Sequence, residues 1–180
     1  MPDPKRQAQG KASRAKGLRF EERLDAAFEA YKVQGIASVE KTPEPMKVLR
    51  PIGKGRFEAC FVKKAQPDYE GTIHGGRSLM FEAKYTDKDR MDKNRVRPEQ
   101  SDYLDERAAL GAWCYVLAGF STGNVYRIPW RVWSEMKERF GRKYITEADV
   151  INYRVQETPD GRLLLLDKHE RSNRNEGRTR

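Results

Sequence analysis

No stretch of this chain of 180 residues approaches the ~20 consecutive apolar residues of a membrane span, and its mean hydropathy is −0.91. An integral membrane protein is therefore not expected. The first sixteen residues are basic but lack the apolar run of roughly 7–15 residues of a secretory signal, so a cytoplasmic location is expected. Cysteine is scarce: Cys60 and Cys114 each lie in an apolar, strand-like context, which suits reduced core thiols better than a disulfide framework or metal cluster. The two histidines fall in a turn (His74) and near the C-terminus (His169), where turn and solvated roles are expected. No internal repeat is visible.

Charge is abundant. Lys and Arg number 36 against 27 Asp and Glu, a formal +9. A small, strongly basic chain most often meets a polyanion, with nucleic acid the first candidate. The excess is unevenly spread. Residues 1–16 carry Lys5, Arg6, Lys11, Arg14 and Lys16 against Asp3, a net +4, and residues 168–180 carry +3. Both segments lack large apolar side chains apart from Met1, so two disordered basic tails are expected around one domain at 17–167. Within that domain, Lys41, Lys47, Arg50, Lys54, Arg56, Lys63 and Lys64 face only Glu44 and Glu58, a net +5 that leaves the remainder at −3. This fits a phosphate-gripping element beside an acidic metal site, or ordinary charge scatter on a solvated face.

Phe20, Leu24, Phe28 and Tyr31 recur at helical spacing and predict a helix over Leu18 to Gln34, ended by Gly35. A strand is expected from Ile36 to Lys41. The runs Met46 to Arg50 and Phe57 to Val62 flank Gly53-Lys54-Gly55, a hairpin signature with basic residues at its tip. The same glycines resemble half a phosphate loop, without the third glycine or a following helix. A second hairpin spans Asp68 to Ile73 and Ser78 to Tyr85 around His74-Gly75-Gly76. Pro98 opens a helix that ends at Gly111, and Ala112 to Phe120 reads as a central strand buried on both faces. Val125 to Ile128 predicts a strand, Trp130, Trp133, Met136 and Phe140 a helix, Thr146 with Asp149 a capping box, and Arg162 to Leu166 a last strand. The class is α/β or α+β, a mixed sheet flanked by helices.

The chemistry is expected on the second hairpin. Glu82 and Lys84 lie two apart on one strand and share a face, and pairing about the turn puts Asp68 opposite Glu82. Two carboxylates plus a backbone carbonyl, here that of Ala83, suit Mg²⁺, with Mn²⁺ as a substitute. Lys84 could orient or deprotonate an attacking water, or stabilise charge on a phosphodiester. A Glu-x-Lys triplet arises by chance about once in so charged a chain, and its ordinary meaning is a cross-strand salt bridge. What adds weight is its combination with Pro67-Asp68, the helix behind it and the helix bearing Glu21 and Glu22 ahead. Helical spacing excludes neither of these two glutamates.

The ordered set Gly17-Leu18-Arg19-Phe20-Glu21-Glu22-Arg23-Leu24, Lys41-Thr42-Pro43, Asp68-Tyr69-Glu70-Gly71, Phe81-Glu82-Ala83-Lys84-Tyr85-Thr86, Gln100 with Tyr103-Leu104, and Gly111 to Phe120 resembles the PD-(D/E)xK nuclease superfamily. More narrowly it is similar to the RecU-type Holliday junction resolvases, over about residues 17–140. The resemblance implies a restriction-endonuclease-like fold. It further implies metal ligation by Asp68, Glu82, the Ala83 carbonyl and Glu21, a catalytic Lys84, and Gln100 near the active centre. It makes residues 42–64 a protruding stalk that enters a four-way DNA junction, with Lys41, Lys47, Arg50, Lys54, Arg56, Lys63 and Lys64 binding DNA. The implied activity is symmetric, Mg²⁺-dependent cleavage of junctions by a homodimer in recombination and repair. Pro67, Glu99 and Glu44 depart from the family pattern. The competing expectations are a related endonuclease acting on duplex or flap DNA, and a non-catalytic basic DNA-binding protein.

Overall fold

The computed structural model describes residues 4–62 and 65–166, with side chains from residue 10 onward. Helix α1 (Pro4–Val33) is followed by β1 (Ala37–Lys41), β2 (Met46–Gly53), β3 (Arg56–Phe61), β4 (Tyr69–Ile73), β5 (Ser78–Thr86) and β6 (Arg90–Asp92). Then come α2 (Pro98–Ala109), β7 (Trp113–Phe120), β8 (Val125–Pro129), α3 (Trp130–Ser134), α4 (Met136–Phe140) and β9 (Tyr144–Thr146), with β10 (Gln156–Glu157) and β11 (Leu163–Leu164) last. Five strands form one mixed sheet in the order β1-β4-β5-β7-β8, in which only β5 and β7 run parallel. α2 makes the crossover between them. This is the helix-flanked mixed α/β sheet expected.

Each face of the sheet buries its own apolar layer. α1 contributes Phe20, Leu24, Phe28 and Tyr31 at the predicted spacing, packed with Val39, Tyr69, Leu79, Phe81 and Leu117. Burial of each such side chain stabilises by about 1.5–3 kcal/mol. Gly119 lets α1 sit close, since a Cβ there would come within 2.9 Å of the Phe20 ring. The opposite face buries Met80, Val116, Ala118 and Ile128 under Leu104 of α2 and Trp130, Trp133 and Met136 of α3 and α4. Both tryptophans are thus core residues. β7 is buried on both faces and lies inside the sheet, as its apolar run predicts.

Several expectations change. α1 begins at Pro4, so residues 4–16 are helical rather than unordered. Ala8, Ala12 and Ala15 among Lys, Arg and Gln are good helix formers, and Lys16 is tied to Asp87 at 3.0 Å. The expected C-terminal tail at 168–180 lies outside the described residues. The helix after Pro129 is broken at Glu135 (φ −90°, ψ 22°) into two short pieces. The last strand is only two residues long and pairs with β10 outside the main sheet. Strands β6 and β9 pair with each other and were not foreseen. Of the cysteines, Cys114 is buried as expected, whereas Cys60 is exposed. The reason is that every residue of β2 and β3 is exposed, and among the described residues the hairpin makes no extensive contact with another element.

Candidate active site

β4 and β5 pair antiparallel with Tyr69 opposite Phe81, so Asp68, one residue before β4, falls beside Glu82. Asp68 Oδ2 accepts the Ala83 N–H at 3.1 Å and lies 3.5 Å from Lys84 Nζ. The Lys84 ammonium also donates to Glu82 Oε1, so one cation is shared by both carboxylates. The expected juxtaposition of Asp68, Glu82 and Lys84 is therefore present, with Ala83 between the two β5 side chains and hydrogen-bonded to Asp68.

Glu82 is fully buried. Its Oε1 accepts a second bond, 2.6 Å, from the Gln100 amide. Gln100, itself 2 % exposed, sits in the first turn of α2, and its amide oxygen accepts the Arg97 N–H at 3.2 Å. That bond turns the amide NH₂ toward Glu82. The second carboxylate oxygen, Glu82 Oε2, is buried and meets no partner among the described residues. Burial pushes the Glu82 carboxyl up to about 7, against the pull of Lys84 and with the repulsion of Asp68. A buried carboxylate with one oxygen unsatisfied, facing a second carboxylate, fits a hard divalent cation. Among the described residues no group of three or more acidic, His or Cys side chains forms a complete metal cage, so backbone and water oxygens would complete the shell.

Glu21 on α1 is half-buried and reaches the site's edge through Lys41, while Glu22 is exposed to solvent. Glu21 Oε2 accepts from Lys41 Nζ at 2.5 Å. Lys41 ends β1, and its ammonium also feels Asp25 and Asp68, which together hold it above the usual lysine range, the Glu21 bond first. Lys41 is thus a site-edge residue rather than part of the protruding hairpin with which its charge grouped it. Asp25, which sequence reasoning passed over, accepts the Tyr69 hydroxyl at 2.8 Å. Its spacing of four residues from Glu21 was the available signal.

The hairpin leaves the body directly from this site. Thr42 N–H donates to the Asp68 carbonyl at 2.9 Å, and Val62 N–H to the Pro45 carbonyl at 3.0 Å, closing the hairpin's base. Pairing of Met46, Lys47, Val48, Arg50, Pro51 and Gly53 with Phe61, Cys60, Ala59, Glu58, Phe57 and Arg56 passes two irregularities, at Leu49 and at Ile52. The alternation then puts Met46, Val48, Phe57, Ala59 and Phe61 on one face and Lys47, Arg50, Arg56, Glu58 and Cys60 on the other. Arg50 pairs with Glu58 across the strands at 2.5 Å. Lys54 occupies the tip in a left-handed conformation (φ 51°) between two glycines. Lys63 and Lys64 lie outside the described residues.

Comparison with known proteins decides the family. The model of the family Recombination protein U matches residues 15–166. The chain belongs to that family. Holliday junction resolvase RecU of Geobacillus thermodenitrificans (strain NG80-2) is 30% identical over 150 residues, covering 77% of this chain and 73% of that protein. Its counterpart in Geobacillus sp. (strain WCH70) is 29% identical over 148 residues, with the same coverage. That of Streptococcus pneumoniae (strain Hungary19A-6) is 31% identical over 121 residues, covering 63% and 61%. The solved structure of Archaeoglobus fulgidus Hjc, a Holliday junction resolvase, aligns at 19% identity with a TM-score of 0.45, covering 76% of this chain and 88% of that one. Membership in the Recombination protein U family matches the resemblance carried by the motifs around Glu21, Asp68, Glu82 and Gln100.

Proposed function

We propose that this protein is a Holliday junction resolvase, a divalent-metal-dependent endodeoxyribonuclease that cuts four-way DNA junctions during recombination and repair. The observation that carries it is the buried Glu82 carboxylate, shared by Lys84 and Gln100, adjacent to Asp68 and with one oxygen left without a partner. Family membership and the names of the relatives support the substrate class.

Asp68 and Glu82 would hold the cation, Mg²⁺ or in its place Mn²⁺, with the Ala83 carbonyl and water as further oxygen donors, and Glu21 would join them only on release from Lys41. When bound, the cation supplies Lewis acidity toward the phosphodiester. Lys84, held between the two carboxylates, orients the attacking water and offsets the negative charge that builds on the phosphate. Gln100 keeps Glu82 in one orientation. Release of Glu21 from Lys41 would turn the Lys41 ammonium toward a DNA phosphate. The hairpin enters the junction opening and presents Lys47, Arg50, Lys54 and Arg56 to its phosphates; Lys63 and Lys64, which lie outside the described residues, are proposed to bind DNA as well. Symmetric cutting of two strands calls for a twofold homodimer. No helix among the described residues is long and apolar enough to cross a membrane, and we place the protein in the cytoplasm with its DNA.

One assay tests the reading: labelled four-way junction and linear duplex, each with Mg²⁺ or EDTA. Metal-dependent junction cleavage is expected, lost with Asp68→Asn and with Lys84→Ala. Cleavage of neither DNA, or cleavage undiminished in these variants, overturns the nuclease reading. Equal cutting of junction and duplex leaves a nuclease and removes the resolvase assignment.

A further inference from the structure

Ser78, Met80, Glu82 and Lys84 share one face of β5, and α2 lies over that face with Gln100, Tyr103 and Arg107 along one stripe. Gln100 meets Glu82, Tyr103 lies beside Glu70 of β4, where burial first and that charge second hold the phenol above its usual range, and Arg107 lies over the Tyr103 ring. At the Arg107 end of this stripe lies a cavity of about 480 Å³, whose lining includes Gly75, Arg77, Ser78, Met80, Arg107 and Gly111.

Two guanidinium groups border that cavity, and both are pre-oriented. Arg77 donates to the Gly111 carbonyl at 3.0 Å and lies over the Trp113 ring, 5.1 Å from its centroid. Arg107 lies 4.8 Å over the Tyr103 ring, and its Nε is buried with no acceptor. Neither forms an ion pair among the described residues. Two ordered arginines border one opening; Glu70 is a carboxylate that attracts Arg107 there, and the buried Arg107 Nε still lacks an acceptor. Arginine's planar fork suits phosphate oxygens, and stacking on aromatic rings leaves its N–H edge free for them.

Position defines which phosphate. Seven residues of α2 separate Gln100 from Arg107, ~10 Å at 1.5 Å per residue. Four residues of β5 separate Glu82 from Ser78, ~13 Å at 3.3 Å per residue. Successive phosphates of one duplex strand advance ~3.4 Å along the axis but also wind around it, so they lie farther apart than that rise and this span is about two phosphates. We propose that Arg77 and Arg107 form a second phosphodiester-binding site, which grips the cleaved strand about two nucleotides from the scissile bond on the side of the β4–β5 turn. It rests on the nuclease reading and adds to it a register-setting contact. Gripping the strand here would hold the scissile phosphate over Asp68 and Glu82 while the hairpin occupies the junction centre.

The test uses the full chain in EDTA, so binding is read without cutting. Junctions carrying a single neutral methylphosphonate at successive positions of the cleaved strand are titrated by fluorescence anisotropy. Neutralising one phosphate about two positions from the cleaved bond should weaken wild-type binding about tenfold. The same neutralisation should have no effect on Arg77→Gln/Arg107→Gln, whose affinity for unmodified junction is already reduced and whose salt slope is shallower by about 1. The wild-type scan needs no variant, so it decides even if the double variant folds poorly; the single variants then complete the cycle. No sensitive position in that region, or equal sensitivity in wild type and variants, overturns the site. Wild-type cleavage in Mg²⁺ is read separately, and its absence would count against the nuclease reading instead.

Discussion

The Gln100 side-chain amide donates to Glu82 Oε1 at 2.6 Å, and the Arg97 N–H fixes which end of that amide points there. α2 thereby reaches across the sheet and orients a fully buried carboxylate on β5. Gln100→Ala leaves that oxygen with Lys84 alone. Loss of one buried hydrogen bond to a charged group costs about 1.5–3 kcal/mol, so single-turnover junction cleavage should fall roughly 10- to 100-fold. Thermal unfolding checks that the fold survives. Unchanged cleavage by a folded Gln100→Ala protein would contradict the orienting role.

Glu82 makes the metal-free protein sensitive to pH. Its carboxyl, ordinarily near 4.5, is raised to about 7 by burial, with Lys84 opposing and Asp68 adding to the shift. Between those values the folded state binds more protons than the unfolded chain, so stability falls as pH rises. At 1.36 kcal/mol per pH unit the loss is about 3 kcal/mol across the window, complete above pH 7. Urea unfolding in EDTA from pH 4.5 to 8 measures it, and Glu82→Gln should flatten that part of the profile. Protons and cation compete for the same carboxylate, so Mg²⁺ affinity should fall below about pH 7.

The pairing of Asp68 with Glu82 and Lys84 was legible because strand alternation and a glycine turn dictate it. The α1 face was legible for the same reason: Phe20, Leu24, Phe28 and Tyr31 fall on one helical stripe. Other features depend on tertiary placement. The Lys41–Glu21 bond brings β1 against α1, and no local pattern distinguishes Lys41 from the hairpin's other cations. Strands of two or three residues such as β6, β9 and β10 carry too short a period to read. Cys60 sits in an apolar run that resembles a buried strand, yet the hairpin projects from the body and exposes it.

Gly71 predicts a stability defect with no chemical role. Its β4 backbone lies so close to β1 that a Cβ would come within 2.1 Å of the Ser38 carbonyl oxygen and 2.6 Å of Val39 Cα. Both are backbone atoms in a paired ladder, so a methyl forces the edge strand to shift. Gly71→Ala should cost about 1–3 kcal/mol, the range for overpacking a tight interior, seen as a lower urea midpoint. Because β1 carries Lys41 and leads into the hairpin, cleavage should fall with it. Gly75→Ala, at a turn with open space around it but φ +93°, should cost less than a steric collision and leave the β1–β4 ladder intact.

The hairpin separates binding selectivity from stability. All residues of β2 and β3 are exposed, and among the described residues the pair makes no extensive contact with another element, so the body's two apolar layers do not depend on it. Replacing residues 46–61 by a short glycine linker should therefore leave the thermal midpoint almost unchanged. It removes Lys47, Arg50, Lys54 and Arg56 against Glu58, a net +3, so salt-sensitive DNA affinity should weaken. Asp68, Glu82, Lys84 and Gln100 stay in place, and the truncated protein should still bind Mg²⁺, read by the pH-dependent stabilisation that the metal confers. What should disappear is the preference for four-way junctions over duplex, measured as a ratio of dissociation constants in EDTA. A folded truncated protein that keeps that ratio would show that the body, and not the hairpin, recognises the branch point.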